Sequence, residues 1–291
     1  MPIKHPSLPQ ALIQENPLQI AGTINAFSAI LAKHAGFKAI YLSGAGVANA
    51  AYAIPDLGMT TMTNVIDEAR RITDACDLPL LVDIDTGFGN ALNIERTIKG
   101  LIKANAAGIH IEDQIQSKRC GHRPRKELVS TAEMCDRLKA CLDARTEKDF
   151  TIMARTDALD IEGLDKAKDR IHHYIEAGAE MIFFEGVKKL EQYTAITKTY
   201  NVPVLANITE FGQTPLFTKD ELRDAGIQLI LYPLSAFRAM SAAALNVYTT
   251  LRKQGTQASL INSMQTREEL YELLNYHQYE KQLDDIIAKG K

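Results

Sequence analysis

One stretch of the sequence decides the fold: Leu80-Leu81-Val82-Asp83-Ile84-Asp85-Thr86-Gly87-Phe88-Gly89. A short apolar run stops there at two carboxylates and a glycine-rich turn, and an amphipathic pattern follows over residues 93–106. Near-continuous hydrophobicity in so short a run is typical of a parallel strand that is covered on both faces. The stretch therefore predicts a buried strand, a polar turn and then a helix.

The same pattern recurs along the chain. The predicted strands are Leu18–Thr23, Ala39–Leu42, Pro79–Val82, Gly108–Ile111, Phe150–Ala154, Glu180–Phe184, Pro203–Ala206 and Gln228–Leu231. The predicted helices are Ala26–Ala35, Met62–Cys76, Asn93–Ala106, Ala132–Ala144, Leu164–Ala177, Lys189–Thr199, Lys219–Ala225 and Ala236–Arg252. Eight strand–helix repeats predict an α/β fold, a (β/α)8 TIM barrel. A doubly wound open sheet is the alternative.

The length of 291 residues accommodates one such barrel and a tail, since a barrel typically takes roughly 250 residues. We expect a catalytic barrel domain over residues 1–255 and a helical tail over residues 256–291. Within the tail, residues 265–291 predict one or two polar helices with apolar anchors such as Tyr279 and Leu283. We expect the tail to pack on its own barrel or on a neighbouring subunit.

The composition excludes several classes of protein. A net charge of −3 gives no footprint for nucleic acid, and no apolar run is long enough to predict a membrane span. The segment Met1–Ser7 lacks the apolar stretch of a signal peptide, so we expect a cytoplasmic protein. The four cysteines form no C-x-x-C pair, which argues against a zinc knuckle or a dithiol redox site.

Carboxylates follow the predicted strands where a barrel carries its active site, at the carboxyl ends. Asp83 and Asp85 lie on one side of an extended segment, Glu112 ends the next strand, and Asp56 lies in the loop after the second strand. Such a set of oxygen ligands suits Mg²⁺, or Mn²⁺, and not zinc. We expect Asp83 and Asp85 nearest the ion, with Asp56 and Glu112 acting through water. The alternative is that these carboxylates pair with Arg155 or with lysines.

A basic segment follows the fourth strand. Residues 117–126, which we name the lid segment, contain five lysines or arginines around Cys120 and His122. Its position predicts a mobile lid over the rim, although a basic run is usually a solvated surface. Positive surroundings would lower the pKa of the Cys120 thiol and let it exchange a proton near neutrality. The basic lid, a metal and Arg155 together predict a pocket for a small polycarboxylate.

Four motifs resemble the isocitrate lyase and phosphoenolpyruvate mutase superfamily. They are Lys118-Arg119-Cys120-Gly121-His122, Tyr41-Leu42-Ser43-Gly44, Asp83-Ile84-Asp85-Thr86-Gly87-Phe88-Gly89 and Asn207-Ile208-Thr209-Glu210-Phe211-Gly212. The resemblance extends from about Asn16 to Ala288, and it is strongest to the branch that cleaves 2-methylisocitrate. Mutases and hydrolases of this superfamily lack the lid cysteine, whose presence favours the lyase branch.

The resemblance implies cleavage of (2S,3R)-2-methylisocitrate, a small tricarboxylate, to pyruvate and succinate in the methylcitrate cycle of propionate catabolism. It implies Mg²⁺ on Asp83 and Asp85, protonation of the succinyl carbanion by Cys120, and Tyr41 as a candidate base. It also implies a homotetramer. The implied substrate-binding residues are Ser43, Gly44, Ala45, Cys120, Gly121, His122, Arg155, Glu185, Asn207, Ile208, Thr209, Arg238 and Arg267.

The sequence leaves some other functions open and argues against others. Cleavage of isocitrate to glyoxylate and succinate is the nearest alternative, because one methyl group changes affinity by only about 1–3 kcal/mol in an apolar pocket; another carbon–carbon or phosphorus–carbon lyase of the superfamily is the next. A Schiff-base aldolase needs a strand-end lysine, and none of the eight predicted strand ends has one. Residues 44–49 imitate a dinucleotide loop but lack its third glycine. A non-enzymatic scaffold would have a damaged metal site or no lid thiol.

Overall fold

Eight parallel strands close into a barrel in the computed structural model, which describes residues 6–289. The strands are β1 Leu18–Gly22, β2 Ala39–Leu42, β3 Leu80–Asp83, β4 Gly108–Glu112, β5 Thr151–Thr156, β6 Met181–Phe184, β7 Val204–Asn207 and β8 Leu229–Tyr232. Each strand pairs with the next one along the chain, and β8 returns to β1 through the register Leu18↔Leu229. The predicted (β/α)8 barrel is confirmed, and the open-sheet alternative is wrong.

Helices alternate with the strands, as predicted. They are α1 Leu8–Gln14, α2 Ala26–His34, α3 Gly44–Gly46, α4 Met62–Ala75, α5 Ala91–Lys103, α6 Thr131–Ala144, α7 Ala158–Glu162, α8 Leu164–Glu176, α9 Leu190–Thr197, α10 Lys219–Asp224, α11 Ser235–Gln254, α12 Arg267–Leu273 and α13 Tyr276–Lys289. Side-chain caps explain several starts: Thr61 accepts from the N–H of Asn64 before α4, and Ser130 accepts from that of Glu133 before α6.

Some short elements were not predicted. They are α1, α3 with the π-helical turn Val47–Ala51 that follows it, α7, and the 3₁₀ helix Ala258–Ser263. In α1, Leu8 and Ala11 are buried in the same apolar cluster as Leu18 and Leu229, which lie at the amino ends of β1 and β8. Helix α1 therefore covers the amino-terminal end of the barrel.

Alternation along the strands separates two cores. Ile109 and Ile111 of β4 pack outward in the larger cluster between strands and helices. The barrel interior is filled by a second cluster, which includes Leu81, Met153 and Phe183. Because successive side chains point to opposite faces, the residues two positions after these interior groups also face the barrel axis. This periodicity carries Asp83, Arg155 and Glu185 to the carboxyl rim above a filled interior.

The chain divides into two compact units at Phe237 and Arg238. The second contains most of α11, the 3₁₀ helix, α12 and α13, so the helices predicted within residues 265–291 are present. The predicted domain limit at residues 255 and 256 stays a prediction. Met1–His5, part of the segment used to predict a cytoplasmic location, lies outside the described residues. Within residues 6–289, no helix is long and apolar enough to cross a membrane.

Helix α5 offers a paired test of its orientation. Leu101 is fully buried and Leu92 is 68% exposed on the same helix. We expect Leu101→Ala to lower the free energy of unfolding by about 2–5 kcal/mol, because it leaves a cavity in the core. Leu92→Ala should change it by less than about 0.5 kcal/mol. Urea unfolding followed by circular dichroism measures both, and equal effects would contradict the orientation of α5.

Candidate active site

The carboxyl ends of β3 and β4 bring together the carboxylates that the sequence predicted as metal ligands. Asp83 accepts hydrogen bonds from the N–H of Gly44 at 3.0 Å and from that of Asp85 at 3.0 Å. A Cβ built on Gly44 would lie 3.1 Å from Asp85 Oδ1 and 3.2 Å from Asp83 Oδ2. Both carboxylates therefore converge over Gly44, which has no side chain to separate them.

A lysine from the lid segment completes this cluster. Lys118 is buried, forms an ion pair with Asp85 at 2.7 Å, and also pairs with Asp56. Glu112 pairs instead with Arg155 at 3.3 Å. The alternative reading of the sequence, in which lysine and Arg155 neutralise these carboxylates, thus describes contacts that the structure contains. These ion pairs do not remove the excess of negative charge in the cluster.

The electrostatics of the cluster show that a divalent cation fits. Burial opposes ionisation of Asp83, but the nearby His110, Lys118 and Arg155 outweigh it and lower its pKa to about 2. Burial and the Asp83 carboxylate raise the pKa of Asp85 to about 6. Burial also raises the pKa of Glu112, whose Oε1 has no hydrogen-bond partner within the described residues. A cation held by these oxygen ligands would relieve both the repulsion and the unsatisfied oxygen.

The lid segment is only partly a solvated surface. Arg119, Arg123 and Arg125 are exposed, whereas Lys118 and Lys126 are buried. Gly121 packs so closely that an added Cβ would lie 2.5 Å from Arg155 Nη2 and 2.8 Å from Glu185 Cγ. The lid segment therefore lies against the barrel rim, with glycine at the point of closest approach.

The thiol of Cys120 is half-buried, and burial raises its pKa. The predicted lowering of this pKa is wrong. Three of the five basic side chains around Cys120 extend into solvent, and Lys118 is paired with Asp56 and Asp85. The many basic residues in this part of the sequence therefore do not produce a positive electrostatic potential at the Cys120 sulfur. Cys120 is protonated at neutral pH, which makes it an acid and not a nucleophile.

Arg155 is the central cation of the rim. It contacts Glu112 at 3.3 Å, Asp157 at 3.0 Å and Glu185 at 3.7 Å, and its guanidinium carbon lies 5.0 Å from the centre of the Phe183 ring. These acidic neighbours outweigh the effect of burial and raise the pKa of Arg155 further. The side chain is therefore a fixed positive charge that faces the barrel axis.

A second group of predicted residues meets under the lid segment. His122 Nε2 lies 3.3 Å from Glu185 Oε1, and Asn207 donates to Glu185 Oε2 at 3.0 Å. His122 Nδ1 accepts from the N–H of Gln213 at 3.1 Å, which places the proton of a neutral imidazole on Nε2. Thr209 is buried beside this group and lies near Gly212. The lid, β6 and β7 thus share one polar cluster.

The remaining predicted substrate-binding residues do not all lie in these clusters. Ser43 and Ala45 lie at the start of the α3 turn, but the N–H of Gly44 is already used by Asp83. The Ile208 side chain packs in the outer core, so a ligand would meet only its backbone. Arg238 and Arg267 lie in the second unit, in α11 and at the start of α12. Their roles stay predictions.

His110 was missed by the sequence analysis. Its Nε2 lies 2.9 Å from the Tyr41 hydroxyl and 3.6 Å from Asp83 Oδ1. Burial lowers the pKa of His110 to about 4, so the ring is neutral at pH 7. Burial and Asp83 raise the pKa of Tyr41 well above its usual range, so its phenol is protonated. A signal was available, because His110 stands two residues before Glu112 and therefore shares its inward face.

The central place of Lys118 among the carboxylates was also not predicted. Burial favours its neutral amine, but Asp85, Glu112 and Asp56 outweigh burial and raise its pKa. An ammonium held by these carboxylates cannot act as the amine nucleophile of a Schiff-base aldolase. The exclusion of that chemistry from the strand ends therefore extends to this lysine.

Comparison with known proteins agrees with these features. A family model described as phosphoenolpyruvate phosphomutase matches residues 10–252. The 2-methylisocitrate lyase of Escherichia coli strain K12 is 59% identical over 282 residues, which cover 97% of this chain and 95% of that protein.

Two solved structures show the same fold. A 2,3-dimethylmalate lyase has a TM-score of 0.87 at 30% identity, covering 94% of this chain and 92% of that one. A phosphonopyruvate hydrolase in complex with oxalate and Mg²⁺ has a TM-score of 0.81 at 28% identity, covering 93% and 94%. With a matching family model over most of its length and a relative at 59% identity, the chain belongs to the isocitrate lyase and phosphoenolpyruvate mutase superfamily.

Proposed function

We propose that the chain is a magnesium-dependent carbon–carbon lyase that cleaves (2S,3R)-2-methylisocitrate to pyruvate and succinate. One observation carries the proposal: a protonated thiol, Cys120, lies in the lid segment that packs on the same rim as the carboxylate cluster. An acid opposite a cation site is what a retro-aldol cleavage needs. The similarity to a 2-methylisocitrate lyase of Escherichia coli supports the choice of substrate.

The metal is proposed to be held by Asp83 and Asp85, with Asp56 and Glu112 reaching it through water. Oxygen ligands favour Mg²⁺, and Mn²⁺ is the alternative ion. The phosphonopyruvate hydrolase relative was solved with Mg²⁺, which supports this choice. When bound, the ion would hold the α-hydroxy acid end of the substrate and stabilise negative charge on the developing keto acid.

The residues of the chain then have separate tasks in the reaction. A base removes the proton of the C2 hydroxyl, the C2–C3 bond breaks, and its electron pair stays on the succinyl fragment. The Cys120 thiol donates its proton to that carbanion, which completes succinate. Tyr41 is our candidate for the base, and its hydroxyl oxygen lies 2.9 Å from Nε2 of the neutral His110 imidazole.

Substrate carboxylates are assigned to the positive and hydrogen-bonding groups of the rim. Ser43, Gly44 and Ala45 would bind the carboxylate near the metal. Gly121, His122, Glu185, Asn207, Ile208 and Thr209 would surround the succinyl half, with positive charge from Arg155. The roles of Arg238 and Arg267 in substrate binding rest on the family resemblance alone. The Arg155 guanidinium is held by three acidic neighbours, so it can receive a carboxylate without first being ordered.

We also propose a cytoplasmic homotetramer in which the C-terminal helices dock on another subunit. Apolar side chains of these helices are exposed in the single chain, among them Leu245 and Tyr248 of α11 and Leu283 and Ile286 of α13. Exposed apolar side chains that cluster on a helix face favour protein contacts over solvent.

The direct test of the proposed function is pyruvate release from 2-methylisocitrate. We expect turnover in the presence of Mg²⁺, its loss on addition of EDTA, and its return when excess Mg²⁺ is restored. Isocitrate is the matched second substrate, assayed by glyoxylate release. Faster turnover of isocitrate would replace the proposed substrate by its lower homologue, and the absence of both products would reject the lyase.

The proposed acid is tested by Cys120→Ser. A serine hydroxyl is a far weaker acid than a thiol, so we expect kcat to fall by about 100-fold or more. Substrate affinity should change little, because the thiol acts on the carbanion and not on the ground state. Cys135→Ser, at a half-buried thiol on α6, is the control and should leave kcat unchanged. Parallel losses of affinity and turnover would contradict an acid role.

The oligomeric state is tested by multi-angle light scattering. We expect the full chain to have four times the mass of 32.2 kDa. Replacement of Leu283 and Ile286 by Asp should reduce that mass without unfolding the barrel, because it places charge on the exposed apolar face of α13. A monomeric wild-type chain would reject the proposed assembly.

A further inference from the structure

Lys126 is a buried cation that the proposed chemistry does not use. It ends the lid segment, and only 2% of its side chain is exposed. Its ammonium donates to the carbonyl oxygen of Gly121 at 2.6 Å and to Asp157 Oδ1 at 3.0 Å, and it lies 3.8 Å from Asp160 Oδ2. Burying a lysine is costly unless it is paired, so these partners define what the side chain does.

The carbonyl that Lys126 binds belongs to the residue next to Cys120. Fixing the peptide oxygen of Gly121 restricts the backbone on which the Cys120 thiol is carried. The other side of Gly121 is fixed by contact, because an added Cβ would lie 2.5 Å from Arg155 Nη2. The position of the thiol over the rim is therefore set by a hydrogen bond on one side and by steric contact on the other.

Asp157, the carboxylate that Lys126 binds, is itself held by hydrogen bonds. Asp157 accepts from Arg155 Nε at 3.0 Å, and its own N–H donates to Asp113 Oδ1 at 3.0 Å. Asp113 in turn accepts from Thr156 at 2.7 Å and from the Tyr174 hydroxyl at 2.9 Å. Lys126 thus ties the lid segment to a buried network at the end of β5.

This anchor differs from the two others in the lid segment. Lys118 binds Asp56 and Asp85, which we assign to the metal, and His122 meets Glu185, which we assign to the substrate pocket. Occupation of the site would compete for those partners. The partners of Lys126 are the Gly121 carbonyl oxygen and the Asp157 network, neither of which we assign to the metal.

We propose that Lys126 is a positioning residue that holds the Cys120 thiol over the site by binding the carbonyl oxygen of Gly121. The inference rests on the proposed function only in so far as the thiol donates the proton. The position of the lid segment against the rim can be tested without any reaction.

The first experiment measures access to the thiol in the ligand-free protein. Wild type, Lys126→Met and Lys126→Gln are treated with iodoacetamide, and the rate at each cysteine is followed by mass spectrometry. We expect Cys120 to react about tenfold faster or more in Lys126→Met, since a charged hydrogen bond that closes the lid is lost. Lys126→Gln, which can still donate a hydrogen bond, should react at an intermediate rate. Removal of a cation by itself lowers the thiolate fraction, whereas exposure of the thiol to water raises both its access and its thiolate fraction, so a faster reaction reports opening of the lid segment.

The other cysteines separate local from global effects. Cys76 and Cys141 are buried in the outer core, and Cys135 lies on α6. All three should react as in wild type. Lys188→Met removes the exposed lysine that binds Asp160 at 2.7 Å without touching Gly121, and it should leave every rate unchanged. Faster reaction of Cys76 and Cys141 in Lys126→Met would reduce Lys126 to a merely structural residue and overturn the proposal.

The second experiment measures turnover of 2-methylisocitrate. For Lys126→Met we expect kcat to fall by about 100-fold, as for a misplaced catalytic group, with KM within about threefold of wild type. An unchanged kcat, or unchanged access to Cys120 in a folded variant, would overturn the proposal. If wild type itself releases no pyruvate, the proposed function fails, while the alkylation rates still decide whether Lys126 holds the lid segment.

Discussion

The site depends on one constraint. Side chains alternate between the two faces of each barrel strand, and the interior of the barrel is already filled. In each strand, alternate side chains face the axis, and the lower positions are taken by apolar groups such as Leu81, Met153 and Phe183. Polar side chains on the inner face can be accommodated only at the carboxyl rim. Charged residues at the carboxyl ends of four neighbouring strands, β3 to β6, are thereby brought close together, although they are far apart in sequence.

Crowding at the rim forces the charges to neutralise one another. Among the described residues, carboxylates such as Asp56, Asp83, Asp85, Glu112, Asp157 and Glu185 lie at this rim, and fewer buried cations, Lys118, Lys126 and Arg155, meet them. The cations are therefore outnumbered. Burial and this imbalance raise the pKa of Asp85 and Glu112, and a further positive charge would relieve the imbalance. The same acidic surroundings keep Lys118 and Arg155 ionised.

Much of this arrangement could be predicted from local sequence pattern. All eight strands lie within two residues of their predicted bounds, because each is an apolar run that ends abruptly. The short helices α1, α3 and α7 have too few residues to show a period. His110 was read as part of an apolar strand, although its spacing from Glu112 marks it as inward-facing. The error on the Cys120 pKa has another origin: which basic side chains turn inward depends on acidic partners as distant as Asp56, and no local pattern records them.

The filled interior has a consequence for traffic through the molecule. With α1 and the apolar cluster closing the amino end of the barrel, small molecules reach and leave the rim from the carboxyl side, where the lid segment packs. The substrate therefore enters, and the two products leave, on the same side of the barrel. Movement of the lid segment away from the rim would take Lys118, His122 and Lys126 from their buried partners into water. Separating these charge pairs is costly unless water or a ligand replaces the lost partners.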